Sequence, residues 1–267
     1  MSYREIDDFS EKDTVVEYMK DCLGESFETL SQRNGLEIGG SGGILAGLLS
    51  AHLKSLISTD IADIAVTYDG KYPHLLREKF KRNGRDLDLA KLQFLWADAQ
   101  NLPFRDNWFD FVVSLNAFEH IPDPAAALSE IMRVTAPNGL IYIRFDPVWT
   151  ADSGSHFLDR IGAPWQHLIS DDAEIGTMMA ANGASDYEIA SYKSHMNRLP
   201  VGFYRDMLPR VIERGRGTIL WYNSYGGCVD EIYPSHPNLA SAAAKLACDP
   251  ADLLLRGFEL VIKRDAD

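Results

Sequence analysis

Short apolar runs alternate with helical patterns from Gly35 to about Phe145. The predicted strands are Gly35–Gly39, Ser55–Asp60, Leu92–Asp98, Phe109–Leu115 and Leu140–Phe145, and the predicted helices are Ile44–Lys54, His74–Asn83 and Pro124–Val134 with Asp123 as N-cap. A helix between consecutive strands is typical of βαβ crossovers, which build a parallel sheet with helices on both faces. This alternation restricts the chain to the α/β class.

The alternation stops after Pro147, and two further strand-like runs follow, Thr218–Ser224 and Gly257–Arg264. We therefore expect a Rossmann-like, doubly wound, mostly parallel seven-stranded sheet with a cap inserted after strand five. The expected boundaries are a helical N-terminal segment over residues 1–34, a binding core over 35–148, the cap over 149–217, and strands over 218–267 that complete the core sheet.

A net charge of -13 and a pI near 4.9 leave no broad basic surface. We therefore do not expect nucleic acid or anionic membranes as partners, and we expect a small molecule instead. The chain opens on a charged stretch, and no apolar run approaches the ~18 residues that span a bilayer, so we expect a cytoplasmic protein. Cys22, Cys228 and Cys248 are scattered and predict neither a disulfide framework nor a zinc site.

The run Leu36–Gly43 joins the first strand to a glycine-rich turn. Glycines here let the backbone approach a ligand closely, although tight strand-to-helix packing without a ligand explains them too. The dinucleotide pattern G-x-G-x-x-G fails because Leu45 stands where its third small residue belongs. Glu37 before the turn repels phosphate and attracts an ammonium or sulfonium group, which favours a cationic cofactor.

Carboxylates also end the next two strands. Asp60 can accept hydrogen bonds from both ribose hydroxyls of a nucleoside, and the alternative is helix capping, for which Asp63 serves equally. Asp98 can receive the exocyclic amine of an adenine. Together with Glu37, these residues predict a nucleoside cofactor across the carboxyl edge of the sheet.

These motifs, together with Ala97–Phe104, Phe109–Ser114, Glu119–Pro124 and Glu130–Gly139, resemble the class I S-adenosylmethionine-dependent methyltransferases over about residues 33–146. The likeness is to their small-molecule, type 11-like branch. It implies S-adenosyl-L-methionine as cofactor, with Glu37 near the methionine end, Asp60 on the ribose, Asp98 and Ala99 on the adenine, and Asn116 beside the sulfonium. The other implied cofactor residues are Gly39, Gly40, Ser41, Gly43, Ile61, Gln100 and His120. Ser41 and Asn138 replace the usual glycines, and we expect both to be accommodated.

Methyl transfer requires alignment of the acceptor and, for many acceptors, removal of a proton. The candidate bases are His156, His120 and His167, with His156 preferred because its loop directly follows strand five. A structural role remains the alternative for each. Asp146, Asp152 and His156 have no metal-ligand spacing, so we predict no metal.

The resemblance does not identify the acceptor. We expect a small molecule methylated on oxygen, bound in the cap. Aromatic residues that fit an acceptor pocket or the core of the cap are Trp149, Trp165, Phe203, Tyr204, Trp221 and Tyr222. A non-catalytic S-adenosylmethionine-binding module and a nicotinamide-dependent oxidoreductase remain alternatives. The oligomeric state stays open, a homodimer included.

Overall fold

The computed structural model describes residues 9–40, 42–226 and 235–266. Ser41 and Cys228 therefore lie outside the described residues. The strands are β1 (Asn34–Ile38), β2 (Ser55–Asp60), β3 (Leu92–Trp96), β4 (Phe109–Leu115), β5 (Thr135–Phe145), β6 (Gly217–Gly226) and β7 (Leu255–Arg264). The helices are α1 (Phe9–Leu23), α2 (Glu25–Glu28), α3 (Ile44–Ser50), α4 (Ile64–Thr67), α5 (Tyr72–Arg82), α6 (Pro124–Val134), α7 (Leu158–Ile161), α8 (Gln166–Ile169), α9 (Asp172–Ala181), α10 (Asp186–Tyr192), α11 (Val201–Arg214), α12 (Pro237–Leu246) and α13 (Pro250–Leu253), with a 3-10 turn at Thr29–Gln32.

The strands form one seven-stranded sheet in the order β3-β2-β1-β4-β5-β7-β6. β1 to β5 pair in parallel, and β7 pairs antiparallel with both β5 and β6. The predicted α/β class and mostly parallel sheet are confirmed. The two C-terminal strands occupy the edge beyond β5.

The N-cap of α6 and the conformation of Asn138 agree with the sequence-based predictions, but the start of β5 differs. Asp123 caps α6 by accepting hydrogen bonds from the N–H groups of Ala125 and Ala126 at 3.1 and 3.0 Å. Asn138 takes a left-handed φ of 63° and is accommodated. β5 begins at Thr135 rather than Leu140, because Phe109 pairs with Thr135 before the register shifts. The predicted turn thus lies within a strand, as a bulge does.

The core has two halves, one on each face of the sheet. Side chains alternate along a strand, so Val112 faces one half and Val113 the other. Helices α6 and α11 supply the first half, and α1, α3 and α5 supply the second. Burying both faces explains why the central strands are nearly continuous apolar runs.

Residues 149–217 hold helices α7 to α11 before β6 begins. Helix α11 packs against α6, and its Met207 and Leu208 are fully buried in the first half of the core. The segment that sequence analysis assigns to the cap therefore also covers one face of the sheet. Within the described residues, no helix is both long and apolar enough to cross a membrane.

Two helical glycines give a matched test of packing. A Cβ on Gly47 would overlap the ring of buried Phe80, whereas a Cβ on Gly176 would meet Ile189 Cγ2 at an ordinary 3.5 Å. We expect Gly47→Ala to lower the free energy of unfolding by about 1–3 kcal/mol through overpacking. Gly176→Ala should raise it by about 0.5–1 kcal/mol, because alanine favours the helix. Urea denaturation followed by circular dichroism measures both, and equal effects of the two substitutions would contradict the packing.

Candidate functional site

A cleft of about 830 Å³ opens at the carboxyl ends of β1, β2, β3 and β4. Strand β1 lies between β2 and β4, so the chain leaves it in one direction and returns on its other side. Ligands of open α/β sheets bind at such a switch point. The wall consists of Ile38, Gly39, Thr59, Asp60, Ile61, Ala62, Ala97, Asp98, Ala99, Gln100, Asn116, Ala117, His120, Ile121, Pro122, Tyr187, Ser191, Ser194 and His195.

The turn after β1 is held tightly to its neighbours. The N–H groups of Gly39 and Gly40 donate to the carbonyl of Thr59 at 2.8 and 3.0 Å. Gly39 has a left-handed φ of 77°, and a Cβ there would lie 2.5 Å from the Cβ of Ala117. A side chain is excluded by both conformation and space. Gly39 lines the cleft, whereas Gly40 and Gly43 lie outside the wall traced by the described residues.

Glu37 lies beneath this turn, with 2% of the residue exposed. The Ser58 hydroxyl donates a 2.5 Å hydrogen bond to its Oε2, and a Cβ on Gly40 would strike the same carboxyl group. Burial, aided by the charge of Asp60, raises the pKa of Glu37 to about 7. Glu37 is not among the described wall residues, so its contact with the methionine end stays a prediction.

Asp60 and Asp98 both line the cleft, at the ends of neighbouring strands. Asp60 Oδ1 accepts from the N–H of Ala62 at 2.8 Å, and Asp63 Oδ1 accepts from the N–H of Val66 at 3.0 Å within α4. The helix-capping contact thus falls to Asp63, whereas Asp60 closes a tight turn in the wall. This arrangement leaves the Asp60 carboxylate at the cleft.

Gln100 fixes the orientation of Asp98. Asp98 Oδ1 accepts from the Gln100 backbone N–H at 2.9 Å and from its side-chain amide at 3.0 Å. The side-chain oxygen Oε1 of Gln100 accepts in turn from the backbone N–H of Asp123 at 3.0 Å. This hydrogen bond joins this side of the cleft to the start of α6. The other predicted cofactor residues that line the cleft are Ile61, Ala99, Asn116 and His120.

Three histidine side chains meet beside the cleft: His120 and His195 belong to its wall, whereas His156, the preferred candidate base, is not among the described wall residues. The ring centroid of His120 lies 5.0 Å from that of His156 and 4.3 Å from that of His195. His120 Nδ1 donates to the backbone carbonyl of His195 at 2.8 Å. Loss of hydration lowers the pKa of all three, and repulsion between the imidazoles adds to this effect for His156 and His195. Neutral imidazoles are therefore favoured in this cluster.

Beside His120 lies Glu119, a fully buried carboxyl group. Among the described residues, neither of its oxygens has a hydrogen-bond partner, and Oε1 lies 3.8 Å from His120 Nε2. Burial raises the pKa of Glu119 well above its ordinary range. A buried polar group without partners is costly, so a carboxyl group in this position calls for an explanation.

His167, the third predicted base, is placed elsewhere. It is buried against Trp149, its Nε2 donates to the Trp149 carbonyl at 2.8 Å, and burial lowers its pKa to about 4. It is not among the described wall residues. The same holds for the six aromatic residues suggested for an acceptor pocket. Two of them, Trp165 and Tyr204, are fully buried in the core.

Sequence analysis did not identify Tyr187, Ser191, Ser194 and His195. They extend from α10 into the following turn, and although a capping box of Ser185 and Glu188 marks the start of this helix, no functional motif marks the four residues. Only the folding of this segment over the sheet edge brings them to the cleft. His195 in particular had no sequence signal that pairs it with His120.

This geometry defines a class of protein, an α/β fold with a nucleoside-sized cleft at its switch point. Residues 36–143 match the family model described as "Methyltransferase domain". The chain is 29% identical over 161 residues to the ubiquinone/menaquinone biosynthesis C-methyltransferase UbiE of Burkholderia cenocepacia, covering 58% of this chain and 60% of that protein. It is 47% identical over 53 residues to the chloroplastic tocopherol O-methyltransferase of Arabidopsis thaliana, covering 20% and 15%.

A solved S-adenosylmethionine-dependent methyltransferase from Methanosarcina mazei shares the fold, with a TM-score of 0.52, 18% identity, and coverage of 89% of this chain and 94% of that one. The chain matches less than two thirds of the length of these two curated relatives. Residues 36–143 form a methyltransferase domain, and these similarities support S-adenosyl-L-methionine as the cofactor of this domain. The cleft fits this cofactor in volume and in its two carboxylates, Asp60 and Asp98.

The buried carboxyl group of Glu37 makes stability depend on pH. The pKa of Glu37 is about 7 in the folded chain, whereas an ordinary glutamate carboxyl has a pKa of 4.5. The contribution of this group to the free energy of unfolding is therefore fully present below pH 4.5 and is lost as the pH rises through 7. Glutamine does not titrate. The free energy of unfolding of the natural chain, relative to Glu37→Gln, should therefore fall by up to about 3 kcal/mol between pH 5 and pH 8.

Urea denaturation at several pH values measures this difference. Glu28→Gln at the exposed end of α2 is the matched control, and it should follow the natural chain at every pH. Parallel curves for the natural chain and Glu37→Gln would refute the assignment.

Proposed function

We propose that this protein transfers the methyl group of S-adenosyl-L-methionine to a small-molecule acceptor, with oxygen as the receiving atom. The observation that carries the proposal is the single cleft that joins the Gly39 turn, Asp60 and Asp98 to a wall of cap residues. One end of this cleft suits an adenosine, and the other is lined by hydroxyl and imidazole groups.

In this proposal Asp60 accepts hydrogen bonds from the ribose, and Asp98 with the backbone at Ala99 receives the adenine. Ile61 and Ile38 supply apolar contacts, and Gly39 admits the ligand against bare backbone. Asn116 lies after β4 with a left-handed φ of 51°, which supports its proposed location beside the sulfonium. The cofactor supplies an electrophilic methyl group, so the protein contributes mainly alignment.

The chemistry of the wall supports a small acceptor. Tyr187, Ser191, Ser194 and His195 offer hydroxyl and imidazole groups. No lysine or arginine belongs to the described wall, so it lacks the charges that bind nucleic-acid phosphates. The two relatives are named for a ubiquinone/menaquinone pathway and for tocopherol. One is named a C-methyltransferase and the other an O-methyltransferase, so the choice of oxygen rests on the polar wall.

Removal of the cofactor-binding carboxylate tests the nucleoside end of the cleft. Asp60→Ala should weaken binding of S-adenosylhomocysteine by about 10- to 100-fold, because charge-assisted hydrogen bonds contribute about 1.5–3 kcal/mol. Asp63→Ala loses the capping contact at the start of α4, and Asp63 is not among the described residues that line the cleft. This variant should keep the affinity of the natural chain for S-adenosylhomocysteine. Isothermal titration calorimetry measures both variants.

The same titration separates the rival functions. Tight binding of NAD(P)H with none of S-adenosylmethionine would favour an oxidoreductase. Binding of S-adenosylmethionine without S-adenosylhomocysteine release over a broad pool of metabolites would favour a non-catalytic module. Equal losses in Asp60→Ala and Asp63→Ala would remove Asp60 from the ribose site.

The histidine end of the cleft is tested by turnover. We expect His156→Ala to bind S-adenosylhomocysteine with normal affinity. Its rate of methyl transfer, measured as S-adenosylhomocysteine formed per unit time, should fall by about 100-fold or more, which is typical for loss of acid–base assistance. His74→Ala on the exposed surface of α5 is the control. Unchanged turnover in His156→Ala would remove this residue from the acceptor site.

A further inference from the structure

Three imidazoles from distant parts of the chain converge beside the cleft. His120 follows β4, His156 follows β5, and His195 follows α10. One nitrogen from each lies within 4.8 Å of the nitrogens offered by the other two. These separations in sequence match no metal-binding motif, and the prediction of no metal did not consider His195.

The hydrogen bonding of His120 leaves one nitrogen ready to bind a cation. Its Nδ1 donates to the carbonyl of His195, so the proton is on Nδ1 and the lone pair is on Nε2. A backbone carbonyl that fixes the tautomer in this way is the usual companion of a metal-binding histidine. The same contact ties the turn that carries His195 to the ring of His120.

Glu119 supplies a second, independent observation. This fully buried carboxyl group has no hydrogen-bond partner among the described residues, and its Oε1 lies 3.8 Å from His120 Nε2. A cation bound to Nε2 at about 2 Å would lie between about 2 and 6 Å from that oxygen. A bound cation thus accounts for a buried acid that otherwise gains no interaction.

We propose that His120, His156 and His195 form a site for a divalent transition-metal ion of the zinc type, with the Glu119 carboxylate balancing its charge. Imidazole ligands suit zinc, iron, cobalt or nickel better than magnesium or calcium, which prefer oxygen. Three protein ligands leave a fourth position open, as in catalytic rather than structural zinc sites.

A modest rearrangement completes the site. Tetrahedral ligands at 2.0–2.1 Å from zinc lie about 3.4 Å apart, so the nitrogens must draw together from their separations of up to 4.8 Å. Packing in the cluster removes part of the hydration of His156 and His195, but both residues keep solvent exposure and can turn inward, whereas His120 is held by its hydrogen bond. His156 also has a left-handed φ of 63°, a conformation that β-carbon-bearing residues adopt at functional sites.

The open position would face the acceptor, because His120 and His195 belong to the wall of the cleft. A hydroxyl group bound to the ion would lose its proton to water more readily, and the resulting oxygen would use its electron pair for the new bond to the methyl carbon. The carbon–sulfur bond of S-adenosylmethionine would break at the same time, with its electron pair going to sulfur and S-adenosylhomocysteine leaving. His156 would then act as a metal ligand rather than as a base. This role rests on the proposed methyl transfer, whereas the metal site itself does not.

Metal binding to the full, tag-free chain tests the site directly. After treatment with a chelator, the protein should bind one equivalent of Zn²⁺ with a dissociation constant of about 1 µM or tighter in isothermal titration calorimetry. Co²⁺ should give the visible absorption of a four- or five-coordinate ion, and Zn²⁺ should displace it. Mg²⁺ should not compete.

Variants then assign the ligands. His156→Ala and His195→Ala should each weaken Zn²⁺ binding by at least about 100-fold, and Glu119→Gln by about 10- to 100-fold. His74→Ala, on the exposed face of α5, should bind Zn²⁺ as the natural chain does. Circular dichroism and titration with S-adenosylhomocysteine show that each variant is folded.

Absence of a one-to-one complex with either Zn²⁺ or Co²⁺ would overturn the metal site, and so would full affinity in the double variant His156→Ala, His195→Ala. Neither result bears on S-adenosylhomocysteine binding, which tests the proposed function. Conversely, a protein that binds zinc through the three histidines but no S-adenosylhomocysteine would keep the metal site and lose the methyl transfer.

Discussion

The site depends on the close contact between the ends of three strands at Gly39. Two backbone N–H groups after β1 donate to the carbonyl of Thr59 on β2, and Ala117, just beyond β4, fills the space where a Cβ on Gly39 would stand. The chain therefore turns at the sheet edge without placing a side chain in the cleft. Asp60 and Asn116 follow directly from these two neighbouring strands, so the same contact sets where they stand.

The site contains two buried glutamates whose surroundings differ in hydrogen-bond partners and neighbouring charge. Glu37 and Glu119 are both almost fully buried, and burial raises the pKa of each. Glu37 has the Ser58 hydroxyl as a partner, which compensates part of its lost hydration. The oxygens of Glu119 have no such partner in the described part of the chain, and the neighbouring group is an imidazole. Glu37 supports the turn at Gly39 and Gly40, and Glu119 lies where a cation would be stabilised.

Residues close in sequence to a strand end were predictable, because a strand end fixes where its next few residues lie. Asp60 and Asp98 were expected together from the strand pattern and Asn116 from the family resemblance, and the cleft includes all three. Their roles toward the cofactor stay predictions. Glu37 shows the limit of this reasoning, because position in sequence does not reveal on which side of the turn a side chain lies. Likewise, His167 was a candidate base beside the preferred His156, and only the structure shows that it packs against Trp149 instead.

The sequence by itself determined the α/β class and the alternation of strands and helices along the binding core, and its motifs resembled those of the methyltransferases, because hydrophobic periodicity and strand-end motifs are local properties. Only the tertiary structure decided which part of the cap closes the cleft and which histidines meet. His120, His156 and His195 come together because α10 and the loop after β5 fold over the same sheet edge. That convergence depends on long-range packing of irregular segments, and such packing has no period in the sequence from which it can be read.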